Sequence, residues 1–190
     1  MLDKHYPGAP TLVCVLTNDS TVFLKNGIAS AFEMFGGRCQ EVKHLVAKLD
    51  LAVKESGEKK GEKLCEVSFG IISSRFGFVP ADYTVMNYPP EEVMSTPEDY
   101  ERVQKEKDYL GKILYTCTMF DRIIVCVPKH MMEMIIDADV LPKGRVIAVT
   151  SKDLKQVCEE RDWMWLERNG PRVGSENSER IMAEIRRISE

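Results

Sequence analysis

The chain has 190 residues, 44% of them hydrophobic and 29% charged, and a net charge of −4, which suits one domain with a well-filled core and leaves too little for two. The acid excess argues against a broad cationic face for nucleic acid, because that face needs lysines and arginines to neutralise phosphates; a local basic groove stays open. No apolar run approaches the ~20 residues that cross a bilayer, so no membrane partner is expected. Residues 1–7 have neither a basic start nor a continuous apolar stretch, so the cytoplasm is the expected location.

Residues 11–17, Thr-Leu-Val-Cys-Val-Leu-Thr, form a short and almost wholly apolar run, the pattern of a strand covered on both faces in a parallel sheet. Asn18, Asp19 and Ser20 follow, three capping types. Val22, Phe23, Ile28, Phe32 and Phe35 then predict a helix ended by Gly36-Gly37. His44, Leu45, Leu49 and Val53 predict an amphipathic helix over about 40–55, and residues 56–63 a Gly/Lys/Glu-rich surface turn. Residues 64–74 read as a second strand that runs into a polar, Gly/Pro-shaped loop over 73–82.

Tyr88-Pro89-Pro90 fixes an extended passage. Thr96-Pro97-Glu98-Asp99 is a helix start, with an N-cap threonine, proline at the first helical position and acids at the positive end of the dipole. One long helix is expected from there, with Tyr100, Val103, Leu110, Ile113, Leu114 and Cys117 as its core stripe. Residues 122–127 give a third strand, followed by Pro128-Lys129-His130 and a short helix in which Met131, Met132 and Met134 serve either adaptable packing or a partner surface. Residues 145–150 give a fourth strand, and Ser151 caps a helix to about 161. Residues 163–170, with two tryptophans, read as a connection. A final helix over about 176–188 is capped by Ser175 or Ser178 and buries Ile181, Met182, Ile185 and Ile188.

Alternating strands and helices predict a single-domain three-layer α/β/α sandwich with a mainly parallel sheet of four to five strands. Right-handed crossovers then bring residues 18–21, 73–82, 128–130 and 150–152 to one edge, the predicted site. Cys14, Cys65 and Cys126 fall in strand runs and Cys117 on a helix stripe, with no Cys-x-x-Cys pair, so reduced core cysteine is favoured over redox or metal roles. His5, His44 and His130 are too scattered for zinc spacing. No metal and no cofactor are expected.

At the predicted edge, Thr17, Asn18, Asp19, Ser20 and Thr21 lie where helix amides would receive a phosphate, a carboxylate or the polar edge of a base; plain capping is the alternative. Neither common nucleotide loop, Gly-x-x-x-x-Gly-Lys-Ser/Thr or Gly-x-Gly-x-x-Gly, occurs. Ser73, Ser74 and Arg75 precede Phe76-Gly77-Phe78, where Gly77 permits a positive φ or a ligand's close approach, Phe76 a stack on a planar base, and Arg75 a contact to an anion or purine edge. The alternative is a tight turn with two core phenylalanines. Asp82 and Tyr88 are the nearest candidates for acid–base or hydrogen-bonding work, although a loop aspartate is more often solvated. Arg172, Ser175 and Asn177 sit on a Gly/Pro stretch that reads as an anion clamp or as simple loop chemistry.

The pattern Ser73-Ser74-Arg75-Phe76-Gly77-Phe78-Val79-Pro80-Ala81-Asp82, with Val85 and Tyr88 downstream, resembles the signature of the peroxide-stress protein family and of related uncharacterised bacterial and phage domains. It is more loosely similar to the uracil-DNA-glycosylase-like domain of archaeosine synthase and archaeal tRNA-guanine transglycosylase relatives. The likeness covers about eighteen residues and implies an α/β fold with a pocket suited to a nucleobase or nucleic-acid segment. Those families place Cys-Ser and a lysine in the first turn, where this chain has Thr17, Asn18, Asp19 and Ser20, so the resemblance assigns those four residues no role.

The leading expectation is a nucleobase, nucleoside or nucleotide ligand at the strand ends, with N-glycosidic bond chemistry as its catalytic extension. Asp82 or Asp19 would act as acid–base group, and Arg75 with the amides after Thr17 would hold the anionic or base edge. The alternatives are a non-catalytic interaction protein, pairing with a partner or as a homodimer through the Met-rich helix, Trp163 and Trp165, and a nucleic-acid-binding module in which Arg75, Lys129, Lys152 and Arg172 converge.

Overall fold

The computed structural model describes residues 9–190; the expectations for residues 1–7, His5 among them, lie outside the described residues. The chain runs through β1 (Thr11–Asn18), β2 (Ile28–Ser30), α1 (Ala31–Met34), α2 (Cys39–Leu51), β3 (Cys65–Ser73), β4 (Gly77–Pro80), β5 (Thr84–Met86), α3 (Pro97–Lys107), α4 (Tyr109–Cys117), β6 (Arg122–Cys126), α5 (Lys129–Asp137), β7 (Val146–Thr150), α6 (Lys155–Glu159), β8 (Met164–Glu167) and α7 (Ser175–Ser189). Six strands form one sheet in the order β4-β3-β1-β6-β7-β8. β3, β1, β6, β7 and β8 are parallel, and β4 is an antiparallel edge strand.

Residues of each parallel strand alternate between two cores, as the two-residue repeat of a strand requires. Val13, Val15, Ile71, Ile124, Cys126, Ile147 and Val149 pack with Val42, Leu45 and Leu49 of α2 and Ile181 and Ile185 of α7. Cys14, Leu16, Ile72, Ile123, Val125, Val146 and Ala148 pack with Val103, Ile113, Met131, Met132, Ile135 and Cys158 on the other face. That is the expected three-layer sandwich. Each fully buried Leu or Ile contributes about 1.5–3 kcal/mol through removal from water, so near-continuous apolar strands have their cause in a helix layer on both sides.

The Thr96 cap is as expected. Its hydroxyl accepts from the Asp99 N–H at 3.2 Å while the Asp99 carboxylate accepts from the Thr96 N–H at 3.2 Å, the reciprocal box that starts a helix. The helix it starts is interrupted, however. Asp108 adopts a left-handed conformation, φ 46° and ψ 51°, and its carboxylate accepts from the Gly111 N–H, so the expected single helix is two, α3 and α4. Leu114 leaves the stripe and is exposed.

Four other expectations give way. No helix follows Ser20: residues 19–27 are irregular, Asn26-Gly27 turns with Gly27 at φ 91°, and β2 pairs with β5 in a small second sheet. The helix N-terminus expected there lies at α2. Residues 164–167, read as connection, form the fifth parallel strand, with Ile147 opposite Met164 and Thr150 opposite Glu167. The last helix starts after Gly174, φ 81°, without a side-chain cap from Ser175 or Ser178. His44 is exposed on α2 and Val42 takes the buried position. All six cysteines are buried and free, and no helix among the described residues is long and apolar enough to cross a membrane.

Candidate functional site

Numbered among the parallel strands alone, the sheet reads 2-1-3-4-5. The chain first crosses from β1 to β3 on one side, then returns past β1 to β6, β7 and β8 on the other. Ligands of doubly wound sheets bind where that direction reverses, outside the carboxyl ends of the strands. Here the reversal lies between β1 and β6. A cleft of about 480 Å³ opens at that point, lined by Asn18 to Val22, Gly37, Arg38, Val93 to Ser95, Tyr100, Pro128 and Arg172, a size ordinary for small-molecule sites.

Asp19 follows β1 directly and is almost fully buried. Its Oδ2 accepts a 2.6 Å bond from the Ser74 N–H and a short bond from the Tyr88 hydroxyl, whereas Oδ1 has no partner. The Tyr88 proton points at Asp19, so the 3.0 Å contact between Tyr88 and Ser73 has Ser73 as donor. Ser73 Oγ in turn accepts from the Arg75 and Phe76 N–H groups. A directed chain therefore runs from the backbone after β3 through Ser73 and Tyr88 to Oδ2. With Oδ2 accepting two bonds, Oδ1 is the oxygen left for a further partner. Burial pushes the Asp19 carboxyl up to about 6, against the opposing pull of the Ser74 and Tyr88 bonds and of Arg172.

Opposite charge enters from the far end of the chain. Glu41 in the first turn of α2 accepts the Arg172 and Val173 N–H groups at 2.8 and 2.9 Å, and Asn177 donates to the Glu167 and Val173 carbonyls. These bonds fix the loop between β8 and α7 against α2. Arg172 is 3% exposed, lines the cleft, and its guanidinium makes no ion pair or hydrogen bond among the described residues, Nε being buried without a partner. Burial lowers its proton affinity, with the cations of Arg38 and Arg168 acting in the same direction. Asn18 is also buried, with its Oδ1 unpartnered.

Among the residues the sequence singles out, Asn18, Asp19, Ser20 and Thr21 line the cleft. Ser20 is held there by bonding the Gly36 carbonyl at 2.8 Å. Thr17 lies behind, its hydroxyl donated to the Cys126 carbonyl. Ser73, Ser74, Arg75, Phe76, Gly77 and Tyr88 form the support rather than the lining. Ser74 Oγ accepts from Met94 N–H, and Arg75 pairs with Glu92 through both carboxylate oxygens while lying 5.2 Å from the Tyr88 ring. Phe76 packs edge-on against Tyr88, and Gly77, φ 72°, turns the chain where an added Cβ would lie 3.0 Å from Lys107 Cβ.

Asp82 is not brought to the cleft. The hairpin carries the chain back along β3, pairing Pro80 with Gly70, and leaves Asp82 exposed beside Asp50 and Val67. The basic residues considered together also separate. Arg75 faces Glu92, Lys129 pairs with Asp153 and Glu133, and Arg172 alone of the four enters the cleft. Met131, Met132 and Trp163 are buried, so the Met-rich helix packs inward. Among the described residues no cluster of His, Cys, Asp and Glu could hold a metal ion. Arg38 and Tyr100 were not foreseen as site residues; the Gly36-Gly37 that marks the start of α2 was the available signal for Arg38.

The chain is thus a doubly wound α/β protein with a polar cleft at its switch point. Comparison with family models, curated proteins and solved structures gives no match.

Proposed function

We propose that the switch-point cleft binds a nucleobase, nucleoside or nucleotide, with Asp19 as the acid–base group for cleavage or transfer at an N-glycosidic bond. The observation that carries this reading is the asymmetry of Asp19: one oxygen is held by two donors, the other is unpartnered in a carboxyl whose pKa of about 6 suits proton transfer near neutrality. A neutral Asp19 offers its Oδ1 proton to a departing base; an ionised one accepts a proton from water or an attacking hydroxyl. Tyr88 positions the carboxyl. The Asn18 amide supplies the donor–acceptor pair that matches a base edge, and Tyr100 supplies an aromatic wall.

A thermal-shift screen of bases, nucleosides and nucleotides tests the reading, since a ligand that binds only the folded state raises the melting temperature by mass action. The expected result is a larger shift with at least one base-containing compound than with the matching sugar or sugar phosphate. Equal shifts with and without the base, or none across the series, would end it.

A further inference from the structure

The guanidinium of Arg172 is the unexplained group of the cleft. Burying a cation is costly unless it is paired and hydrogen-bonded, and native proteins leave few buried polar groups unsatisfied. Yet Arg172, 97% removed from solvent, has no carboxylate partner among the described residues and an orphaned Nε. Asp19, the acid in the same cleft, forms no ion pair with it, its bonded oxygen being held by Ser74 and Tyr88. Glu41 is engaged by the Arg172 and Val173 backbone amides. The side chain is held in this state by the loop around it, because Glu41 and Asn177 fix the backbone on both sides.

Two further features of the same wall favour negative charge. Arg38 also lines the cleft, exposed and without a partner among the described residues. It stands at the start of α2, a 13-residue helix whose N-terminus has no side-chain cap, so the positive end of the helix dipole adds to two guanidinium charges. Cleft-lining charge therefore amounts to two arginines against one aspartate. The planar forks of arginine match the oxygens of phosphate and carboxylate groups; with Asp19 in the neutral form that would donate a proton, a doubly charged phosphate balances both guanidiniums, whereas a carboxylate would leave one unneutralised.

We infer that Arg172 and Arg38, with the α2 N-terminus, form a receptor for the doubly charged phosphate of a phosphomonoester, so that the ligand is a nucleoside monophosphate rather than a free base or nucleoside. The inference rests on the proposed nucleoside site for the rest of the ligand, while the phosphate receptor itself rests on the two arginines and the α2 N-terminus. It divides the cleft into an anion end at Arg172 and Arg38 and a chemical end at Asp19 and Asn18.

The test is calorimetric titration of the four ribonucleosides, their 5′-monophosphates and inorganic phosphate into the wild type, Arg172→Gln, Arg172→Lys and Arg38→Gln, with circular dichroism to check folding. The wild type should bind at least one monophosphate about 10- to 100-fold more tightly than its nucleoside, the range of a charge-assisted contact. Inorganic phosphate should compete with it. Arg172→Gln should erase the preference while nucleoside affinity stays, and Arg172→Lys should keep part of it. Arg38→Gln, an exposed substitution that leaves the core untouched, should weaken the monophosphate several-fold even if Arg172→Gln fails to fold. Equal affinity for nucleoside and monophosphate would overturn the phosphate receptor and leave the nucleoside site standing. Phosphate binding lost in Arg172→Gln, without any nucleoside or nucleotide binding, would support the receptor and overturn the nucleoside site. Binding of none of the probes would overturn both.

Discussion

The hairpin Ser73–Val79 and the rim of the cleft are neighbours built from the same kinds of residue, yet they differ in what their polar groups still have to give. In the hairpin each one is engaged: Ser73 with Tyr88 and two N–H groups, Ser74 with Met94, Arg75 with Glu92. Along the rim, Asn18 Oδ1, Asp19 Oδ1 and Arg172 Nε are buried and unpartnered. A region rich in functional residue types is therefore not by itself a site. Unused hydrogen-bonding capacity in a buried place is the better marker, because an isolated chain gains nothing by leaving it unused.

The sharpest way to break this contrast is Asp19→Asn. An amide keeps an oxygen for the Ser74 and Tyr88 donors but cannot exchange a proton near neutral pH, so turnover of any nucleoside-type substrate should fall about 10²–10⁴-fold. Stability should move the other way. Since burial pushes the folded carboxyl from its ordinary 3.8 up to about 6, the neutral form is the one the fold prefers. The wild type has that preference in full below about pH 4 and loses it as pH rises through 6. At pH 7 ionisation costs roughly 3 kcal/mol, and the asparagine variant should be more stable by that order, with the gap closing toward pH 4. Urea titrations at pH 4 and 7 read it directly. A variant less stable at both values would show that the carboxyl is structural.

Tyr88→Phe probes the link between the two regions. It removes the hydroxyl between Ser73 and Asp19 and should cost about 1–3 kcal/mol, the price of leaving buried partners unpaired. With one donor to the ionised form gone, the Asp19 titration should move above 6, as carboxyl carbon NMR across the pH range would show. An unmoved titration would disconnect the hairpin from the site. Smallest of all is Asp82→Asn: on an exposed turn away from the cleft it should change stability by less than about 0.5 kcal/mol and leave ligand affinity unaltered in the same titrations.

Much of the frame was legible because its signals are local. Apolar runs over β1, β3, β6 and β7, the stripe of α2 and the Thr96-Pro97 cap each lie within a dozen residues. What escaped was decided by context. Met164–Glu167 is too short to announce itself and becomes a strand because β7 offers an open edge. Asp108 breaks one helix into two by adopting a left-handed conformation that its own carboxylate then caps. Asn26-Gly27 was a readable turn signal inside the segment expected to be helical. In the site, Asn18 and Asp19 could be placed because a strand precedes them, whereas Asp82 was misplaced because a tight turn at Gly77 reverses the chain. Arg172 was visible only as an arginine on a Gly/Pro stretch; that its guanidinium forms no ion pair with an acid among the described residues is a property of three dimensions.

The clasp that seats Arg172 on the first turn of α2 joins segments 131 residues apart in sequence. During synthesis the ribosome delivers residues in order, so a chain that has already made β1, α2 and β3 has Arg38 but still lacks Arg172 in its cleft. That second guanidinium arrives only when β8 and α7 dock, among the last events of assembly. Ligand capture would then certify a finished molecule, and a product truncated ahead of residue 172 would be inert however well its remaining strands had paired.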